Sequence, residues 1–425
     1  MYNKKIKLNI LIQHVLLFFL IFGFPIIMFI NSVKVVVGIT ILFLILGISA
    51  PGFYRKFFSI EFSIFNFLYF IFFLYTLVLT VISKNLDFSL AIKILSSHIL
   101  ILITMLFMSF LNINIEESIW KCFIVQSLIM LLCTFSQNFY DLTSPFRSEM
   151  AEHHLLAYGR MRGNAISGYQ FFGISSMYGF VIIWGILNFK KSLQFVFQFL
   201  LIVVCGLLSG RFCITAVMIG GLIKFFFLLK KKQYKYFVYI SLGITIFIFL
   251  SVFAVFRISN IIQDPVLKKT FDNYIVQPIE SIVIKRKFET SSTNSLIEMY
   301  QFDLTEYLFK AEGKYLNDDS SYFGGVDIGY YRVILYYGIQ GIFILSLLFL
   351  FFIWFSSKKA DISLKIGFFL FFLILNAKGD VQLYSNNIIP LLVGYCYFAK
   401  KFLPQRTNDK KKNILIKYNN FMDSL

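Results

Sequence analysis

Four places along the chain set charged side chains inside or beside apolar runs. Arg160 and Arg162 lie in Tyr158-Gly-Arg-Met-Arg-Gly163, and Arg211 lies in Leu208-Ser-Gly-Arg211. Asp327 and Arg332 lie in Gly325-Val-Asp-Ile-Gly-Tyr-Tyr-Arg332, and Lys378 shortly precedes Asp380. A charge at the centre of a membrane helix costs roughly 2.5–3.5 kcal/mol, so such residues face a protein interior or a wet cavity. Arginine offers a planar fork of donors that stays protonated and pairs bidentately with phosphate oxygens. Several such groups converging on one cavity suit a phosphate or diphosphate ligand. Fixed cations in a poorly hydrated pocket stabilise charge that grows on a diphosphate leaving group. They also take the place of a divalent metal, so no metal and no cofactor is expected.

Taken singly, each has an ordinary alternative. Arg211 in a short turn can reach lipid phosphates, Arg160 or Arg162 can be a solvated loop residue, and Asp327 with Arg332 can be a structural ion pair. Lys378 with Asp380 can be a polar turn. Weaker candidates are Asp318-Asp319 as an oxygen-ligand pair and His153-His154 as a base, with His154 the one placed near substrate. His14 and His98 read as hydrogen-bonded helix residues, and Lys93 as a snorkelling lysine. Tyr322, Tyr330 and Tyr331 could form a sugar platform or an interfacial aromatic belt.

The elements that must position these residues follow from composition. The 425 residues are 58% hydrophobic, 19% aromatic and only 15% charged, with mean hydropathy +0.76. Soluble domains carry about a quarter charged residues, so an ordinary cytosolic enzyme is excluded. Long continuous apolar runs exclude an outer-membrane barrel as well. Runs near 8–30, 34–50, 62–82, 90–110, 119–137, 169–188, 193–208, 212–229, 236–256, 328–355, 366–379 and 385–399 predict an all-α polytopic bundle. The expectation is about twelve transmembrane helices in a single domain.

Lys+Arg exceeds Asp+Glu by 40 to 22. The excess gathers at Arg55/Lys56, Lys190/Lys191, Lys230–Lys232, Lys358/Lys359 and the tail after Pro404. The opposite turns hold only Lys34, Lys84, Arg211 and Lys378. The positive-inside rule then puts both termini and the 404–425 tail in the cytoplasm and requires no nucleic acid. Two long outer loops remain, 138–168 and 257–326. In the second, Ser295-Leu-Ile-Glu298 fits a capping box, and Leu296, Met299, Tyr300, Leu304, Tyr307 and Leu308 predict an amphipathic helix. Five scattered cysteines, with no CxxC pair, suggest neither a zinc site nor a disulfide framework.

The stretch from Asp327 to Gly341 resembles the re-entry segment of Wzy-type polymerases of bacterial O-antigen and capsule repeat units. Leu208-Ser-Gly-Arg-Phe212 resembles that family's SGR-T turn, with Phe212-Cys213 in place of the usual Thr-Gly. Arg160-Met-Arg-Gly163 resembles its first outer Arg-Gly segment, and Asn376-Ala-Lys-Gly379 its late lysine-bearing span. The resemblance implies a GT-C-like membrane glycosyltransferase of the bacterial inner membrane. Its partners would be undecaprenyl-diphosphate-linked oligosaccharide, membrane lipids and a chain-length regulator. Arg162 and Arg211 would contact the diphosphate, and Arg332 would be a third contact or would orient Asp327. Asp327 would activate the acceptor hydroxyl. Arg160, Tyr330, Lys378 and His154 would line the substrate site. A glycan ligase of the related family generally carries a histidine in the large outer loop, and 257–326 has none. A flippase or transporter would show charges along a central pathway and repeat symmetry between halves.

Overall fold

A computed structural model describes residues 2–27, 30–45, 59–84, 86–147, 166–169, 171–190, 192–230, 268, 272, 276, 291–317, 321–355 and 360–398. They are mostly helical. In chain order the helices are α1 (Tyr2–Phe22), α2 (Ser32–Ile45), α3 (Ile60–Ile82), α4 (Ser89–Phe110), α5 (Ile115–Phe135) and α6 (Gln137–Thr143). Then come α7 (Phe171–Leu187), α8 (Leu193–Ser209), α9 (Cys213–Lys230), α10 (Ser291–Tyr300) and α11 (Gly329–Tyr337). The last are α12 (Ile339–Leu350), α13 (Ile362–Asn376) and α14 (Ile389–Tyr397). Among the described residues, four helices are long and apolar enough to cross a membrane: α3, α4, α5 and α9. They become five if the bent pair α11–α12 is one span. Length and composition thus give a polytopic helical membrane protein. The run near 236–256, the tail after Pro404 and most of 257–290 lie outside the described residues.

Local chemistry sets the helix ends. Ser59 Oγ accepts from Phe62 N at 3.4 Å and starts α3, and Ser192 Oγ accepts from Phe195 N at 3.2 Å and starts α8. Within the bilayer-length helices, hydroxyls bond back one turn or across to a neighbour. Thr76 and Thr80 donate to Phe72 and Thr76 carbonyls, and share hydrogen bonds with the Tyr337 and Tyr336 hydroxyls at 2.8 and 2.6 Å. These bonds fasten α3 to α11 where no water competes. His14 shares a bond with Ser118 at 3.2 Å and His98 with Asn66 at 3.0 Å, so both serve helix contacts. All five cysteines are buried free thiols.

Three expected elements differ. The first apolar run stops as a helix at Phe22, because Gly23 adopts φ +54° and Pro25 has no N–H to continue the ladder. Pro25–Ile27 and Ile30–Asn31 form a short antiparallel hairpin instead. The 328–355 run is broken at Gly338, where φ is +75° and α11 and α12 diverge by 116°. A Cβ there would sit 3.0 Å from the Leu308 carbonyl, so the position needs glycine both for its torsion and for the loop lying against it. The amphipathic helix begins at Ser291, so the expected capping box at Ser295–Glu298 falls inside it. It ends at Tyr300. Asp303 then accepts from the Thr305 amide and hydroxyl, and Leu304, Tyr307 and Leu308 fall in or beside a 3-10 turn.

Candidate functional site

The deepest charge in the described structure sits where four distant parts of the chain meet. Arg332 projects from the first turn of α11 with its side chain only 5% exposed. Asp380 follows α13 in the turn before α14, its side chain 1% exposed. Asn376 closes α13, so Lys378 and Asp380 lie past that helix and do not interrupt it. Asn376 Oδ1 accepts from Val381 N at 3.2 Å and from Gln382 Nε2 at 2.6 Å, which folds the turn back on itself. Gly329 lets α11 approach this turn. A Cβ on it would come 2.5 Å from the Gly379 carbonyl.

Asp380 is the hub. Its Oδ2 lies 3.7 Å from Arg332 Nη2 and 3.6 Å from Lys93 Nζ, and accepts from Tyr315 Oη at 2.6 Å. Its Oδ1 accepts from Tyr384 Oη at 3.0 Å. Burial pushes the Asp380 carboxyl up, but Lys93, Arg332 and the two tyrosine hydroxyls outweigh it and hold it below the usual carboxylate range. The same burial, with the Asp380 charge beside it, drives the Tyr315 hydroxyl well above its ordinary value. Arg332 Nη2 also donates to Tyr315 Oη, and Lys93 Nζ donates to it at 3.1 Å. The Tyr322 ring covers the guanidinium at 3.3 Å and the Tyr315 ring at 4.6 Å.

Tyr315 is delivered by the large loop, and Asp87 anchors that delivery. Asp87 Oδ2 accepts from the Tyr315 and Leu316 amides at 2.8 and 2.7 Å. Burial raises its carboxyl, while hydrogen bonds from Ser89, Leu316 and Tyr315 more than offset this and leave it lowered. Glu312 and Gly313 amides donate to the Leu335 and Tyr336 carbonyls, so 312–316 is wedged between α11 and the α3–α4 turn.

Asp327 stands at the open side. Its Oδ1 is 3.4 Å from Arg332 Nη1, yet its side chain is 60% exposed. Desolvation lifts its carboxyl above the usual range, and the Arg332 charge only partly opposes the shift. Lys378 and the Arg211 turn adjoin this group. Lys378 Nζ lies 5.6 Å from the Phe212 ring, which meets Phe172 edge-on at 5.7 Å. Ser175 Oγ donates to the Gly210 carbonyl at 3.0 Å, fixing the turn that carries half-buried Arg211 on the start of α7.

Among the expected residues, Asp327 and Arg332 therefore pair, the turn that carries Lys378 packs through Gly379 on Gly329 of the same helix start, and Phe212 of the Arg211 turn lies beside Lys378. Tyr330 turns to the helix contact, its hydroxyl donating to the Leu373 carbonyl at 2.6 Å. His154, Arg160 and Arg162 lie outside the described residues, as do Asp318 and Asp319. The ends of their loop are described: Arg147 and Ser167 form a parallel bridge, and Gln126 Nε2 donates to the Ile166 carbonyl at 3.0 Å. Sequence reasoning missed Lys93, Tyr315, Tyr384 and Asp87. Lys93 does not simply snorkel; its ammonium lies between the Tyr384 and Tyr315 rings, 4.9 and 5.3 Å from their centroids. The only hint in the sequence was Asp87, Lys93 and Ser97 clustered at the start of an apolar run, where charge is expensive. No family model, curated protein or solved structure matches the chain.

Proposed function

We propose that this chain is a repeat-unit polymerase, a glycosyltransferase of GT-C-like plan in the bacterial inner membrane. It has about twelve spans, both termini in the cytoplasm and its site at the outer face. It transfers a growing glycan from undecaprenyl diphosphate to the non-reducing end of a new lipid-linked repeat unit. One observation supports this reading above the others. Three segments that resemble the family, around Arg211, Asp327–Arg332 and Lys378, are far apart in sequence and adjoin at one end of the bundle. A shared end matters because transfer needs donor diphosphate and acceptor hydroxyl held together.

In the reaction, the bond from the sugar's anomeric carbon to the diphosphate oxygen breaks as the acceptor hydroxyl bonds to that carbon. The hydroxyl proton passes to the Asp327 carboxylate, which is solvent-facing and held 3.4 Å from the Arg332 guanidinium. Arg332 holds Asp327 from the buried side. Arg211, Lys378 and Arg162 face the departing diphosphate, whose negative charge is largest in the transition state.

Deleting the gene and separating the surface glycan on a gel tests the reading. Loss of the polymer ladder with single repeats still attached is expected, and Arg211→Ala or Arg332→Ala restored to the deletion strain should reproduce it at normal membrane levels. Polymer left on the carrier lipid would mark a ligase, and repeats trapped inside a flippase. A normal ladder in both variants would remove the site.

A further inference from the structure

The cluster around Asp380 divides the work of its cations. Arg332 is spent: Nη1 faces Asp327, Nη2 serves Tyr315 and Asp380, and Tyr322 covers its face. Only Nε lacks an acceptor among the described residues, and it is buried. A guanidinium so enclosed cannot offer a free fork to an incoming ligand. Lys93 is placed differently. It shares the same Asp380 oxygen, at 3.6 Å, but its side chain is 35% exposed. It donates to Tyr315 Oη alone within hydrogen-bond distance, so at least one of its three N–H donors has no acceptor among the described residues. The ammonium is thus anchored to Tyr315 and Asp380, at the end of a side chain that is about one-third exposed.

We propose that Lys93 is the cation that meets the ligand at this site, taking a diphosphate oxygen through a donor not used by Tyr315 or Asp380, with the enclosed Arg332 guanidinium beside it. Asp380 is the positioning residue that holds the two cations side by side. A shared buried carboxylate keeps the cations together without a ligand, and with Asp327 included the two cations and two carboxylates carry no net charge before Lys378 is counted. Lys378, which acts on the same Asp327 carboxyl as Lys93 does, adds a positive charge. The identity of the ligand rests on the polymerase reading; the anion site itself does not.

Inorganic pyrophosphate is the probe, titrated without divalent metal into the purified full chain in detergent while thermal unfolding is followed. A saturable rise in the unfolding midpoint is expected for the unsubstituted protein. Lys93→Gln should raise the half-saturating concentration tenfold or more, and Lys93→Arg should stay near the original value. Asp380→Asn should weaken binding, with partial rescue by Asp380→Glu. Lys310→Ala, an exposed lysine paired with Glu312 in the same loop, should leave it unchanged. A variant that only loses structure melts lower without probe but keeps its half-saturating concentration. No saturable rise, or equal binding by Lys93→Gln, overturns the proposal. So does abolition of the rise by stoichiometric phosphatidylglycerol, which would assign the site to membrane headgroups. Ladder loss on gene deletion without pyrophosphate binding would sink this proposal alone. Pyrophosphate binding with an intact ladder would sink only the polymerase reading.

Discussion

Asp380→Asn removes one negative charge from a place that water barely reaches while keeping the side chain's size. Asp380 Oδ2 and Arg332 Nη2 are 3.7 Å apart with side chains 1% and 5% exposed. At an effective dielectric of about 20 that attraction is about 4 kcal/mol. Lys93 adds less than about 1 kcal/mol, because it is over a third exposed and screened. Asparagine keeps one acceptor oxygen, so only one of the bonds from Tyr315 and Tyr384 persists, falling from about 1.5–3 kcal/mol to about 1 without the charge. Breaking a buried pair from one side costs roughly 3–5 kcal/mol, so the single variant should lose about that much. Arg332→Met should cost a similar amount, since it strands the carboxylate. The double variant should lose at least 2 kcal/mol less than the sum, because neither ion is then left alone. Unfolding in mixed detergent micelles, followed by tryptophan fluorescence, measures all three. Losses that add within about 0.5 kcal/mol would refute the idea that these groups hold each other.

Three further outcomes follow from the same geometry. Asp87 has a carboxyl lowered from 3.8, so its hold on the Tyr315 and Leu316 amides is complete above that pH and is lost as pH falls through the lower folded value. Limited proteolysis of 303–317 should therefore rise only below pH 3.8, and Asp87→Asn should make that segment sensitive at neutral pH; Asp380 titrates in the same direction and accounts for any acid response left in the variant. Gly338→Ala forces an L side chain to φ +75° against the Leu308 carbonyl and should cost at least about 1–2 kcal/mol in micelle unfolding, whereas Gly221→Ala, with open space around it, should cost nothing measurable. Thr80→Val removes the Tyr336 hydroxyl's 2.6 Å partner and leaves it only a 3.4 Å donation to the Thr76 carbonyl, and should cost about 0.6–2 kcal/mol, largely recovered by adding Tyr336→Phe.

The sequence carried the helices well where one physical rule governs them. The runs ending at Ile82, Phe110 and Ser209 stop within a residue or two of expectation, since apolar length decides them and Ser59 and Ser192 cap the starts of the first and third. Hydrophobicity could not report the break at Gly338 or the stop at Gly23, because backbone torsion makes them and the flanking residues stay apolar. The candidate site was legible by its charges: Asp327, Arg332, Lys378 and Asp380 are costly in a membrane chain and so draw notice. Its aromatic half was not. Tyr315 and Tyr384 are two among 24 tyrosines, and only the fold of the large loop and the α13–α14 turn marks them out. Lys93 was visible but misread, because a lone lysine near a helix end looks the same whether it reaches lipid or a buried carboxylate 287 residues later.

Catalysis is tested most directly with the purified chain in proteoliposomes, supplied with lipid-linked repeat units extracted from a strain that lacks it. The glycan should lengthen by whole repeats, releasing one undecaprenyl diphosphate for each bond made, and Arg332→Ala should do neither. Repeat units that cross the bilayer without growing, or that stay unchanged, would contradict polymerisation by this protein.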